Sequence, residues 1–302
     1  MPRPQSGQQW TRRNVLESSS AIAGVGIAGS LPSLQATAAI ESDKKQDWWK
    51  NEFRKLVALG ESTTAGGWST TRQRCWVSRL GMMINDVQSQ RLDIFNAGIG
   101  SNVISTRSPC YPYSGKPAAN ERLQKHVFDQ HPDLLIISYG LNDARGGTPV
   151  SLFEKELTGV VKSVRQQIQP LIVLLGPYFM TDFMAGGKGW QHANLDLFKT
   201  FNRSVAEVAR QQECLYVDLI GASGEASWLV HDDGVHQSDL GHLIVANRIF
   251  EVLLQHVSGL ALHTQRIEKT SPRWRDESKL KADYGYSQLG NAISWWAPST
   301  AV

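Results

Sequence analysis

The chain has 302 residues, of which 41% are hydrophobic and 20% charged, ordinary values for a soluble globular enzyme with one sizeable core. Its net charge is +3, but Arg3, Arg12 and Arg13 against Glu17 put +2 of that within the first 38 residues, leaving +1 for the rest. So small a surplus excludes a nucleic-acid footprint or strong steering of charged partners, and three cysteines exclude a disulfide scaffold.

The N-terminus has the pattern of an export signal. Thr11-Arg12-Arg13-Asn14-Val15-Leu16 carries paired arginines, a Gly/Ala-rich apolar stretch runs from Ala21 to Leu31, and Ala36-Thr37-Ala38 fits a small-residue cleavage site. The apolar stretch is too short to span a bilayer, so residues 1–38 are predicted to be a twin-arginine-type signal. The mature protein is expected in the periplasm or outside the cell, without stable membrane insertion.

After a linker over residues 39 to about 52, five apolar runs are predicted as strands: Lys55–Leu59, Leu92–Asn96, Leu134–Tyr139, Leu171–Leu175 and Leu215–Leu219. Most are continuous rather than alternating, as in strands buried on both faces. Helical spacing fills the intervals. Trp76, Leu80, Met83 and Val87 share one face, as do Leu157, Val160, Val161, Val164 and Ile168, and again Phe198, Phe201, Val205 and Val208. Leu243, Asn247, Phe250 and Leu254 mark a last helix. Alternating strand and helix predicts an α/β fold, a parallel five-stranded sheet between helical layers, with ligands beyond the carboxyl ends of the strands. Export permits one disulfide, for which Cys75 and Cys110 are the preferred pair, while Cys214 reads as a small buried hydrophobe. Residues 264–302 fall outside the repeating pattern, either a tail packed across the domain or a partly disordered extension.

The chemistry-bearing residues fall at those strand ends. Ser62 follows the first run in Gly60-Glu61-Ser62, and Asp233-Gly234-Val235-His236 comes near the C-terminus. A serine needs a base to take its proton, and an aspartate three residues before a histidine can hold the imidazole from the same turn. Gly140-Leu141-Asn142-Asp143 follows the third run, where an asparagine amide can meet a developing oxyanion.

Together these blocks resemble the SGNH (GDSL-like) hydrolase superfamily over about Leu56 to His256. The resemblance implies a flavodoxin-like three-layer fold for residues 39–263. It implies Ser62 as nucleophile, His236 as base and Asp233 as its partner. Glu61 stands where the family motif has Asp. In the second block, Asn96-Ala97-Gly98-Ile99-Gly100-Ser101-Asn102, Ser101 occupies the usual glycine position, so the implied oxyanion hole is Ser62, Ser101 and Asn142, with Gly100 as the alternative donor. Neither metal nor organic cofactor is implied.

The long loop from Pro177 to Trp190 is expected to overhang the site. Trp68, Tyr178, Trp190 and Trp228 are candidate sugar-stacking residues, favouring an acetyl ester on a carbohydrate, in small-molecule or polysaccharide form. Phe179, Phe183, Met180 and Met184 suit a short-chain lipid ester equally. A different class, a metal-dependent hydrolase, would draw on His231, Asp232, Asp233, His236 and His242.

Overall fold

Each apolar run becomes a strand in the computed structural model of the chain, which describes residues 45–272. The strands are β1 (Lys55–Gly60), β2 (Asp93–Gly98), β3 (Leu134–Ser138), β4 (Leu171–Leu175) and β5 (Leu215–Val217). They form one parallel sheet in the order β2-β1-β3-β4-β5. Every residue of β3 and β4 is buried, which is why neither shows polar alternation. The last strand is shorter than expected. Asp218 takes the N-cap of a helical turn by accepting from Gly221 N–H at 2.8 Å, so Leu219 turns out of the sheet.

The connections are α1 (Ser62–Ala65), α2 (Trp76–Val87), α3 (Leu141–Arg145), α4 (Val150–Gln167), α5 (Leu195–Gln211), α6 (Asp239–His256) and α7 (Leu262–Thr270). Helix α2 packs on α6, and α4 on α5. The crossovers β1-α2-β2 and β3-α4-β4 run in opposite directions along the sheet. Right-handed connections therefore put the two helix pairs on opposite faces, giving the three layers. Leu80 and Ile84 of α2, Val160 and Val164 of α4, and Phe198 and Phe201 of α5 enter one core with the strands. Each such side chain contributes about 1.5–3 kcal/mol of burial.

The chain leaves β1 toward β2 and leaves β3 toward β4. That divergence opens a crevice beyond the carboxyl ends of β1 and β3. Ser62 and Asn142 follow those two ends. At the opposite end, Trp48 N–H donates to the His256 carbonyl at 2.9 Å and Gly259 N–H to the Trp49 carbonyl at 3.1 Å, pinning the chain before β1 against the end of α6.

The boundary expected after residue 263 falls inside α7, none of whose residues is buried. The export segment, with Arg12 and Arg13, and the extension beyond residue 272 lie outside the described residues. Among the described residues, no single helix is long and apolar enough to cross a membrane. The Cys75–Cys110 bridge is a correction: both thiols are free and buried. Cys75 begins α2 with its Sγ 3.9 Å from the Thr64 carbonyl, whereas Cys110 Sγ lies 3.9 Å from the Asn142 carbonyl in a cluster with Val103 and Ala118. The two loops pack on different strand ends, so the thiols never face each other. Cys214 is also free and buried.

Candidate active site

Ser62 opens α1 immediately after β1 and lines a cleft of about 540 Å³. Its Oγ lies 2.8 Å from His236 Nε2. The histidine arrives from a turn that organises itself. Asp233 Oδ1 accepts from the backbone N–H of Val235 (3.0 Å) and His236 (2.9 Å), and Oδ2 accepts from His236 Nδ1 at 2.5 Å. The carboxylate is acceptor-only, so Nδ1 carries the proton and Nε2 presents a lone pair to the serine hydroxyl. Loop residues clasp this turn: Thr181 and Asp182 N–H both donate to the Gly234 carbonyl, at 2.8 and 2.9 Å.

Burial holds the His236 pKa below its ordinary value, and hydrogen bonding to Asp233 offsets only part of that. Asp233 is partly buried, which works to raise its pKa. The N–H donors of His236 and Val235 outweigh that and keep it low, so the carboxylate stays ionised beside a neutral base. The Trp68 ring lies flat on the imidazole, with centroids 3.2 Å apart and planes 6° from parallel.

Asn142 sits in the first turn of α3 and also lines the cleft. Its Nδ2 donates to the Asn102 carbonyl at 3.1 Å, and its Oδ1 accepts from Arg145 Nη1 at 3.4 Å. The amide is thus oriented with one N–H in use and the second available. Gly100 and Ser101 both face the cleft. Ser101 has φ of +56°, the left-handed conformation that glycine adopts at no steric cost. A non-glycine residue held there is strained backbone at a cleft, a pattern that clusters at functional sites.

Behind the cleft lies a buried acidic pair. Glu61 Oε1 accepts from the N–H of Gly140 (3.2 Å) and of Asn142 (3.1 Å), while Oε2 is buried with no partner among the described residues. Burial, with Asp143 nearby, pushes the Glu61 pKa well above the carboxylate range. Asp143 accepts from Ser108 Oγ at 2.8 Å and Ile104 N–H at 3.1 Å, and burial pushes it up to about 7. The longer Glu61 braces the segment from Gly140 to Asn142, as an acid whose burial favours its protonated form.

Of the four aromatic candidates, Trp68 and Trp190 line the cleft. Tyr178 does not. It is 2% exposed, with its hydroxyl 2.9 Å from Ser138 Oγ, a core position reached because the chain leaving β4 stays under the loop. Trp228 is 73% exposed but lies outside the cleft, in a turn whose carbonyl accepts from Ser238 Oγ at 3.2 Å. The five residues of the metal alternative do not gather. His242 is buried in α6, with Nδ1 3.4 Å from Trp76 N, and among the described residues no group of three or more His, Cys, Asp or Glu could hold a metal. Sequence reasoning missed Arg145 and Lys116, both in the cleft wall. Arg145 was within reach of pattern reading, one helical turn after Asn142 on the same face. Lys116 lies in a loop without periodicity.

The model of the GDSL-like lipase/acylhydrolase family matches residues 58–244, which includes every residue of the relay. The chain belongs to that family. It is a carboxylic ester hydrolase of the GDSL type. Similar solved structures include the lipase/acylhydrolase from Enterococcus faecalis, at 20% identity and a TM-score of 0.54, covering 66% of this chain and 95% of that one. Axe2, an acetylxylan esterase from Geobacillus stearothermophilus, is similar at 19% identity and a TM-score of 0.53, covering 69% and 96%. Likeness at such identity establishes the fold that the GDSL hydrolases share. Among curated proteins, none matches the chain in sequence.

Proposed function

We propose that this esterase removes an acyl group, best supported as acetyl, from a carbohydrate, through an acyl-enzyme on Ser62. The observation that carries the reading is the continuous relay Ser62 Oγ–His236 Nε2–His236 Nδ1–Asp233 Oδ2, at 2.8 and 2.5 Å. His236 Nε2 takes the Ser62 proton as Oγ bonds to the ester carbonyl carbon. The imidazolium so formed is stabilised by Asp233. The tetrahedral oxyanion is met by the Ser62 N–H, the free amide N–H of Asn142, and the N–H of Ser101 or of Gly100. Collapse breaks the bond to the alcohol oxygen, which leaves with the proton from His236. Water, deprotonated by His236, then attacks the acyl-enzyme and releases the acid and free Ser62.

Two tryptophans in the wall support a sugar alcohol, and an acetylxylan esterase of the same fold is consistent with it. The lipid-ester reading has less support. Met180 and Phe179 are buried and Phe183 packs edge-on to Phe198 at 5.2 Å, so these three face the core, while Met184 is exposed but lies outside the lining of the cleft. On the pattern around Arg12-Arg13, the enzyme is proposed to be exported by the twin-arginine route, with residues 39–263 as the hydrolase domain.

The test is Ser62→Ala together with a serine-directed phosphonate. The variant loses hydrolysis of 4-nitrophenyl acetate while keeping its fold, and intact mass with peptide mapping places one adduct on Ser62. An adduct elsewhere, or an active alanine variant, refutes the assignment.

A further inference from the structure

We propose that the ester cleaved at this site is carried by an anionic sugar, a uronic acid, whose carboxylate is held by Arg145 and Lys116. The inference rests on the esterase reading above and adds the charge of its substrate. Both cations line the cleft beside Ser62. Among the described residues, neither has a carboxylate oxygen within 4.0 Å. Asp233 is the one acid in the wall, and its two oxygens are taken up by the backbone of residues 235 and 236 and by the imidazole.

Arg145 is the stronger observation. It is only 7% exposed, yet its guanidinium is under-partnered. Five N–H groups meet two acceptors: Asn142 Oδ1 at 3.4 Å from Nη1 and the Ala185 carbonyl at 2.8 Å from Nη2. Nε is buried with no partner among the described residues. Glu61, Asp233 and Asp182 attract the guanidinium only from beyond contact distance. A cation so far removed from water, with most donors unanswered, is unfavourable unless an anion completes it. A planar carboxylate is the group a guanidinium fork matches.

Glycines shape the cleft around both cations, and Lys116 Nζ, which donates to the Gly100 carbonyl at 2.8 Å, has two further N–H groups without a partner among the described residues. A Cβ on Gly186 would lie 2.9 Å from Arg145 Nη2, and Gly186 sits at φ +85° where a side chain is disfavoured. A Cβ on Gly100 would lie 3.6 Å from Lys116 Nζ and 3.9 Å from Ser62 Cβ, so ammonium and nucleophile flank a single glycine. Trp190, with the Arg145 Cζ 5.9 Å from its ring centroid, supplies the flat wall beside the guanidinium. The arrangement fits a ring with an ester at Ser62 and a carboxylate turned to the two cations.

The experiment compares methyl glucuronosides with methyl glucosides, each mono-O-acetylated at O2, O3 or O4 so that matched isomers differ only at C6, with 4-nitrophenyl acetate as a third substrate. At low salt, kcat/KM for the glucuronosides exceeds that for the glucosides by about tenfold or more, as a charge-assisted hydrogen-bonded pair provides. The ratio shrinks as sodium chloride is raised. Lys116→Gln, at an exposed position, and Arg145→Gln each lower the ratio, whatever they do to the absolute rates. A general loss from disturbing Asn142 would lower both sugar substrates alike and leave the ratio standing. A wild-type ratio near one, or a ratio unmoved by both substitutions, overturns the inference. If 4-nitrophenyl acetate is still turned over, the esterase reading survives that result. Failure to hydrolyse all three substrates overturns the esterase reading and this inference with it.

Discussion

Glu61 offers the sharpest test of how the site is held together. Its Oε1 is the acceptor for two buried backbone N–H groups, those of Gly140 and Asn142, at 3.2 and 3.1 Å. Glu61→Ala leaves both without a partner. Each stranded donor costs about 1–3 kcal/mol, so the loss is about 2–6 kcal/mol before the vacated volume is counted. Glu61→Gln keeps the carbonyl acceptor and places an NH₂ where the acid carries OH. Burial favours the neutral acid, so the Gln variant stays within about 1 kcal/mol of wild type, the scale of a substitution that preserves its hydrogen bonds. The charge state also sets a pH signature. A carboxyl whose folded pKa lies above its ordinary 4.5 binds a proton that the unfolded chain releases, so its contribution is fully present below 4.5 and declines as pH rises toward the folded value. Asp143, raised from 3.8 to about 7, adds a second decline across that interval. Glu61→Gln abolishes the first slope, and the variant gains on wild type as pH rises. Urea unfolding of the three proteins at several pH values measures this, with kcat for 4-nitrophenyl acetate reporting whether Asn142 keeps its place. The reasoning fails if Glu61→Gln is as unstable as Glu61→Ala, or if its deficit grows with pH. Either result would mean that an ionised Glu61 facing Arg145 stabilises the fold.

Asn142→Ala removes a donor used only as charge develops, so kcat falls about 100- to 1000-fold with KM little changed in steady-state kinetics. Near-normal turnover would move the oxyanion role elsewhere. His236 must be neutral to accept the Ser62 proton, and burial holds its pKa below 6.5. Activity therefore falls on acidification with a kcat/KM midpoint below 6.5, and a midpoint at or above that value contradicts the buried neutral base. Replacing Arg12 and Arg13 together by lysine holds the precursor in the cytoplasm, read by fractionation and immunoblot. Unimpaired secretion of the double variant argues for another route.

The parallel sheet and the Asp233–His236 half of the relay were legible for local reasons. β3 and β4 are buried on both faces, so their apolar runs are unbroken and mark a parallel sheet without any knowledge of the neighbours. Asp233 and His236 belong to one hydrogen-bonded turn, and that short-range bond is written in their spacing. The strand-end position of Ser62 and Asn142 then follows from where such folds keep their crevice.

What the sequence by itself determined is thus the periodic and the local: the alternation of strand and helix, the order of the four blocks, and the turn that pairs an acid with a histidine. The tertiary structure decided which side chains look into the cleft. Tyr178 and Trp190 lie in one loop, yet the first is core and the second is wall. Cys75 and Cys110 follow the two adjacent strands β1 and β2 and pack apart. Ser62 and His236 meet across 174 residues, and Lys116 and Arg145 converge on the same cleft from separate segments. A loop has no repeating dihedral, so no period tells which way its side chains point. Their direction is set by what each can bury against once the sheet has formed, a contact between segments far apart in the chain.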